Sequence, residues 1–276
     1  MRLPRVRTIL LAPLILFAFF YAVLAVLVLL DDDAVRPLAA SSATPYTVAI
    51  FGASGTAGDG ILKAALASPD VERIRVITRR TTPRIDAGVA AGKVVMTLHL
   101  DYLDYAAIHE QIVDVDAVFW AIGTSSVGVD EETYGMIHVD FPVRFVTEWL
   151  DVSDRGEKSF HYISSSDISA DSRMMWAREK VRAENTLFEV ASGTGLRVIA
   201  YRPDYIGPTT EEAHLGQDLL YGFFAPVGAA VKATQIGPAM IEVTARGDAF
   251  ANGDRLGRRS IIRYSDAYEQ RAGVKP

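Results

Sequence analysis

Short apolar runs alternate with helical patterns along most of the chain after residue 45. Nearly every position in these runs is apolar or β-branched, which is typical of strands in a parallel sheet that helices cover on both faces. The pattern therefore predicts an α/β fold with a doubly wound parallel sheet for residues 46–276. The predicted strands are Thr47–Phe51, Arg73–Thr78, Val94–Leu98, Ala117–Ala121, Phe160–Ile163 and Leu196–Ala200.

The first 45 residues have a different pattern. No charged residue occurs from Thr8 to Leu30, and as a helix this run would be about 34 Å long against a hydrocarbon core of about 30 Å. We therefore expect residues 1–30 to form a tail and transmembrane helix, residues 31–45 a linker, and residues 46–276 a single domain. A cleaved secretory signal is the alternative, since Leu38-Ala39-Ala40 could serve as a weak cleavage site.

The charges on either side of the apolar run bear on orientation. Arg2, Arg5 and Arg7 precede it and Asp31–Asp33 follow it, so the positive-inside rule favours the domain on the non-cytoplasmic side of a membrane. Soluble nicotinamide cofactors are chiefly cytoplasmic, however. Either the compartment has its own cofactor supply or the charge rule misleads for this chain.

Composition excludes several function classes. The chain has 276 residues, a formal net charge of −6 and no cysteine, so disulfides, a thiol nucleophile and cysteine-ligated metals are excluded. Its five histidines are scattered rather than spaced as ligands, and we expect no metal site. The mild acidity argues against a nucleic-acid partner, which would require a basic face.

A glycine-rich turn from Gly52 to Gly58 separates the first predicted strand from the helical pattern Ile61–Leu66. A buried strand that turns on glycines into a helix presents backbone N–H groups to a pyrophosphate, which predicts a dinucleotide site. Glycines here could also serve only tight packing. The residues expected to bind the cofactor at this turn are Gly52, Ser54, Gly55, Thr56 and Gly58.

Two arginines, Arg79 and Arg80, follow the second strand, where an NAD site usually carries an acidic residue. Because guanidinium groups suit the 2′-phosphate, the sequence favours NADP, although arginines at a strand end can be ordinary surface. Asp101 follows the third strand and Gly123-Thr124 follow the fourth, so we expect both segments to border the cofactor. Asp101 is equally consistent with a turn residue.

The fifth strand ends in Ser164–Asp167, and a helical pattern from Ser172 to Ala191 places Trp176 and Lys180 on one face. In this order of parts, residues 46–276 resemble the short-chain dehydrogenase/reductase superfamily, and within it the atypical group of Tat-interacting-protein-like oxidoreductases. The resemblance implies that Ser165 or Ser166 is the active-site serine. It also implies that Lys180 binds the nicotinamide ribose and that Arg202-Pro203 is the family's arginine–proline segment, although an ordinary solvated lysine is the other interpretation of Lys180.

One residue departs from the family pattern. The family's proton-donating tyrosine would fall on Trp176, whose indole cannot act as a general acid or base.

Two functions stay open. The protein is either an NADP-dependent oxidoreductase acting on an apolar or membrane-associated small-molecule carbonyl compound, or a non-catalytic NADPH sensor with a regulatory protein partner. In the oxidoreductase, either water or a substitute side chain could relay the proton. The substitute side chains considered are Tyr134, Tyr205, Asp167 and His138.

Three later segments complete the predictions. Leu219–Val227 could line an apolar pocket or touch a bilayer, but such a stretch is more typical of core. Ile236–Glu242 is predicted to be the closing helix. The basic cluster Arg255–Arg263 is predicted to be a solvated face.

Overall fold

The computed structural model describes residues 6–30, 35–36, 46–153, 155–207, 209, 215–228 and 230–273. Nine strands occur in these residues. They are β1 (Tyr46–Phe51), β2 (Val71–Thr78), β3 (Val94–Leu98), β4 (Ala117–Trp120), β5 (Lys158–Ile163), β6 (Leu196–Arg202), β7 (Tyr205–Gly207), β8 (Ala230–Lys232) and β9 (Arg255–Gly257).

Seven strands form one sheet in the order β3-β2-β1-β4-β5-β6-β9, and all of its pairings are parallel. β7 and β8 form a separate parallel pair. The prediction of a Rossmann-like α/β fold is therefore confirmed, and each of the six predicted strands is present.

The helices follow the strands in the alternation that the sequence predicted. They are α1 (Val6–Leu29), α2 (Thr56–Ala67), α3 (Pro83–Ala90), α4 (His109–Ile112), α5 (Glu131–Gly135), α6 (Phe141–Val152), α7 (Met175–Ala191), α8 (Leu215–Phe224), α9 (Ala233–Ala245) and α10 (Arg258–Ala272), with a π-helical turn at Met136–Asp140 between α5 and α6.

Helices cover both faces of the sheet because its central strands are apolar on both sides. In β1, Val48 and Ile50 belong to the apolar cluster shared with α2, α9 and α10. Ala49 and Phe51 belong to the cluster shared with α6 and α7 on the opposite face. Alternate residues of a strand point to opposite faces, so one uniformly apolar strand contributes to two buried layers.

The predicted membrane anchor is wrong. No helix formed by the described residues is both long enough and apolar enough to cross a membrane. The hydroxyl of Tyr21 in α1 donates to the Phe223 carbonyl at 2.7 Å, and the Phe17 ring stacks on the Phe223 ring with centroids 6.2 Å apart. The expectation of a single-pass membrane protein, with its domain on the non-cytoplasmic side, is withdrawn.

The predicted linker falls mostly on residues 31–34 and 37–45, which lie outside the described residues. Arg36 is described, and it lies against the domain. Its guanidinium donates to both carboxylate oxygens of Asp254 at 2.5 and 3.1 Å, and its backbone N–H donates to the Tyr264 hydroxyl at 3.1 Å. This part of the predicted linker therefore contacts the folded domain.

Two predictions about the carboxyl-terminal part need correction. Ile236–Glu242 lies in α9, but α10 follows it and closes the described fold. The cluster Arg255–Arg263 is not simply solvated, because Arg255 binds Glu184 at 2.9 Å and Arg258 binds Asp204 at 2.7 Å. These ion pairs attach β9 and the start of α10 to α7 and to the segment after β6.

The prediction of core for Leu219–Val227 is also wrong, because none of these residues is buried. Leu219, Leu220 and Phe223 are 75%, 48% and 45% exposed. In α8 these side chains lie on the surface, where Phe223 meets α1.

Candidate cofactor and active site

The direction of strand succession reverses beside β1, which lies between β2 and β4. Open α/β sheets bind ligands at such a reversal, outside the carboxyl ends of the strands. A cleft of about 450 Å³, here called the cofactor cleft, lies at this edge. It is lined by Gly52, Ser54, Gly55, Thr78, Arg79, Arg80, Tyr102, Ala121, Ile122 and Gly123.

The glycine turn needs its glycines for different reasons. Gly52 has φ +79°, and a Cβ there would lie 2.6 Å from the Ala121 carbonyl. Both the backbone conformation and the lack of space therefore exclude a side chain at this position. A Cβ on Gly58 would collide with the Gly52 carbonyl oxygen. At Gly55 a Cβ would meet only that oxygen, at 3.5 Å, so this side of the turn is open.

α2 begins at this turn with Gly55 as its N-cap and no side-chain cap. The N–H groups in the first turn of a helix have no intrahelical acceptor, and an anion is their natural partner. Ser54 and Gly55 line the cofactor cleft, and Thr56 is the first residue of the helix. The open side of Gly55 and these amides fit a diphosphate.

Arg79 and Arg80 both line the cofactor cleft. The Arg80 guanidinium donates to the Ser54 carbonyl at 3.2 Å, and the Thr78 hydroxyl donates to the Arg80 carbonyl at 2.8 Å. These bonds hold the end of β2 beside the glycine turn. Both arginines therefore border the cofactor cleft beside the glycine turn.

The sequence analysis did not identify Tyr102, which lines the cofactor cleft. This residue comes two positions after Leu100 in the chain. Burial raises the pKa of Tyr102 to about 12, and the nearby Arg79 partly opposes that rise. Its only sequence signal is its position directly after Asp101. The Asp101 carboxylate accepts from the Leu103 N–H at 2.9 Å, which is the turn role left open above, and Asp101 is not among the residues that line the cleft.

The fourth strand end meets a buried histidine. Gly123 lines the cofactor cleft, and a Cβ on it would approach the His138 ring at 3.0 Å. The Thr124 N–H donates to His138 Nε2 at 3.2 Å. Burial, assisted by the charge of Lys180, lowers the pKa of His138 to about 3. His138 is therefore a neutral support for this loop rather than an acid at neutral pH.

Lys180 is buried, at 5% exposure, so the interpretation as a solvated lysine is wrong. Its ammonium donates to the Ile163 carbonyl at 2.9 Å and the Tyr162 hydroxyl at 3.3 Å. The Tyr162 hydroxyl in turn donates to the His138 carbonyl at 2.9 Å. Burial lowers the pKa of Lys180 to about 7, with Glu184 partly opposing. A cation that can release a proton near neutral pH thus lies at the carboxyl end of β5.

The serine segment follows β5 directly. The Ser166 hydroxyl donates to the Asp204 carboxylate, which also accepts from Arg258 at 2.7 Å. Ser165 and Ser166 are both half-buried, and they follow the buried Ser164. Asp167 has φ 51°, the one positive φ among the described non-glycine residues. The chain therefore turns sharply just past the candidate catalytic serines.

Trp176 is half-buried in the first turn of α7, one turn before Lys180. Among the substitutes considered, Tyr134 is 4% exposed and packs its ring 4.0 Å from the His138 ring, and burial raises its pKa to about 12. Tyr205 packs near Phe224 with ring centroids 6.2 Å apart. Lys180, whose pKa is about 7, is therefore better suited than Tyr134 to release a proton near neutral pH.

Solved structures share this fold. A 3-oxoacyl-[acyl-carrier protein] reductase from Brucella melitensis has a TM-score of 0.61 at 17% identity, covering 80% of this chain and 98% of its own. The NADPH-dependent 3-quinuclidinone reductase from Rhodotorula rubra has a TM-score of 0.60 at 13% identity, covering 83% and 97%. The chain therefore has the fold of short-chain dehydrogenase/reductase structures, as the resemblance to that superfamily predicted.

Two protein sequences are similar to part of this chain. Protein fmp52-1, mitochondrial, from Aspergillus terreus is 28% identical over 171 residues, which cover 60% of this chain and 69% of the relative. Protein fmp52, mitochondrial, from Emericella nidulans is 27% identical over 185 residues, covering 66% and 76%. No family model matches the chain.

Proposed function

We propose that the chain binds NADP(H) in the cofactor cleft and acts as an oxidoreductase on a small carbonyl or hydroxyl compound with an apolar part. One observation carries the proposal: a single cleft joins the glycine turn, Arg79, Arg80 and the end of β4. Structures of the same fold support it, since a Brucella melitensis reductase is described in complex with NAD. The preference for NADP rests on the two arginines.

The arginines give the first test. Alanine at both Arg79 and Arg80 should weaken NADPH binding by about 10²- to 10⁴-fold, because each of the two lost hydrogen bonds to the charged phosphate contributes about 1.5–3 kcal/mol. NADH affinity should change little, since NADH lacks the 2′-phosphate. Fluorescence titration of the full chain with both cofactors measures the preference.

Arg73→Ala is the matched control. Arg73 lies near the other end of β2, is 48% exposed, and is 3.5 Å from Asp114. Its removal should leave both affinities unchanged. Equal affinities of the unmodified protein for NADPH and NADH would refute the assignment of NADP.

Gly55→Ala tests the diphosphate position. Its φ of −103° suits alanine and the added methyl would meet only the Gly52 oxygen, so the fold should be retained. The methyl would occupy the side from which the diphosphate approaches, and we expect at least a tenfold loss of NADPH affinity. Gly156→Ala, where a Cβ meets nothing within 4 Å, is the control for both melting temperature and affinity. An unchanged NADPH affinity in Gly55→Ala would place the diphosphate elsewhere.

In the proposed reaction, Lys180 is the group that donates a proton to the substrate. NADPH, when bound, supplies the hydride that reaches the carbonyl carbon. The Lys180 ammonium gives a proton to the carbonyl oxygen, becomes a neutral amine and is recharged by solvent. Two of its three N–H groups are directed to Ile163 and Tyr162, which leaves one for the substrate. The hydroxyl of Ser165 or Ser166 would orient the carbonyl.

The alternative function is a non-catalytic NADPH sensor that reports to a protein partner. The observation that favours this alternative is Trp176. In the enzymes that the chain resembles, this helix position carries the proton donor, whereas here it holds an indole. In that case the cofactor cleft binds NADPH but the unmodified protein shows no turnover. Measured turnover separates the two functions.

A further inference from the structure

A second cavity opens beside the serine segment, with a volume of about 310 Å³. It is called the arginine cavity here, and its lining residues are Ser166, Asp167, Arg202 and 257–260. It shares Ser166 with the candidate catalytic segment and no lining residue with the cofactor cleft. A molecule in this cavity would therefore touch the reaction site without displacing the cofactor.

Three of the residues that line the arginine cavity are arginines. Arg202, Arg258 and Arg259 face one lining acid, Asp167. Carboxylates behind the wall fix two of these guanidinium groups. Arg202 donates to Glu184 at 2.8 and 2.5 Å, and Arg258 donates to Asp204. Fixed guanidinium groups lose little entropy when they bind an anion.

The hydrogen-bonding capacity of Arg258 is not exhausted by Asp204. Its Nε is buried and finds no acceptor among the residues that the structure describes. Asp204 also accepts from the Ser166 hydroxyl, so one carboxylate joins the cavity wall to the serine segment. Binding at the wall and orientation of the serine are thereby linked through a single residue.

The backbone adds to this charge. α10 begins at the cavity with Gly257 as its N-cap, and Gly257 provides no side-chain cap. No acidic residue lies in the first turn of α10, so the positive end of the helix is not compensated there. This effect supplements the three arginines, which carry the larger charge.

We infer that the arginine cavity binds an anionic group, a carboxylate or a phosphate, of the substrate whose carbonyl lies at Ser165 or Ser166. The inference rests on the proposed function and names its substrate class, a carbonyl compound with an acidic end. The apolar part of the substrate then lies between the two polar ends.

Calorimetric titration of the full chain saturated with NADPH tests this inference. The probes are 4-oxopentanoate, its methyl ester and inorganic phosphate, and saturation with NADPH keeps phosphate out of the cofactor cleft. We expect 4-oxopentanoate to bind at least tenfold more tightly than the ester. Arg259→Gln and Ser260→Asp should each remove most of this preference, whereas Arg144→Gln, a 58% exposed arginine on α6, should not.

Ser260→Asp separates loss of charge from loss of folding. An acid in the first turn of α10 favours the helix, so this variant should melt no lower than the unmodified protein while it repels an anion. Tighter binding of phosphate than of 4-oxopentanoate, with the same sensitivity to both variants, would support the inference with phosphate as the group. Equal affinity for acid and ester, or a preference that survives both variants, would overturn it.

A result different from those that overturn the anion site would refute the proposed function. If NADPH does not bind but the unliganded chain still prefers the acid over the ester, the anion site stands and the cofactor assignment falls. If NADPH binds and no anion preference exists, the proposed function stands alone.

Discussion

Trp176→Tyr should raise carbonyl reductase turnover by about 10²-fold, at the low end of the gain that a positioned general acid provides. The new phenol would lie one helical turn before Lys180, on the same face of α7. The neighbouring ammonium would lower the pKa of the phenol and so make it a better proton donor near neutral pH. NADPH absorbance measured with a panel of ketones and aldehydes follows the rate.

Trp176→Phe is the matched control, because it supplies a ring of similar character without a hydroxyl. It should give no gain. If the unmodified protein already reduces these substrates rapidly and the tyrosine variant is no faster, Trp176 does not impair proton donation and the sensor alternative fails with it. If the unmodified protein binds NADPH without turnover and the tyrosine variant gains activity, the sensor function is favoured.

Lys180→Met should lower turnover by 10²- to 10⁴-fold if Lys180 donates the proton. Methionine keeps the length of the side chain but removes the ammonium that contacts Tyr162 and Ile163. The variant should melt no lower than the unmodified protein at pH 6, since burial disfavours the charge that is removed. Lys232→Met, an exposed lysine whose ammonium lies 5.3 Å from the centre of the Tyr221 ring, is the control.

The pH dependence gives a second readout for Lys180. Burial lowers its pKa to about 7, while Glu184 opposes the shift and Tyr162 accepts a hydrogen bond from the ammonium. A proton donor must be charged, so the rate of reduction should be full below pH 7 and fall about tenfold per unit above it. A flat profile through pH 9, or full activity in Lys180→Met, would show that Lys180 is not the donor.

The strands and the glycine turn could be predicted from the sequence because their signals are local. β1 and β3 were found to within a residue, since an apolar run bounded by turn residues encodes a buried strand directly. β9 was missed because it has only three residues and pairs with β6, a strand that lies more than fifty residues earlier in the chain. A run that short carries no periodic signal.

The environment of each site residue could not be predicted in the same way. The burial of Lys180 depends on how α7 packs over the end of β5, which its spacing from Trp176 does not reveal. The bond from Ser166 to Asp204 joins residues far apart in the chain. The apolar run at the amino terminus indicated a helix correctly, but the prediction that this helix crosses a membrane was wrong.

Titration of the full chain with NADPH and NADH tests the central claim most directly, because the proposed oxidoreductase function depends on a nucleotide in the cofactor cleft. We predict saturable NADPH binding at least tenfold tighter than NADH binding, and we predict that alanine at both Arg79 and Arg80 removes this preference. Failure of both cofactors to bind the folded chain would contradict the account.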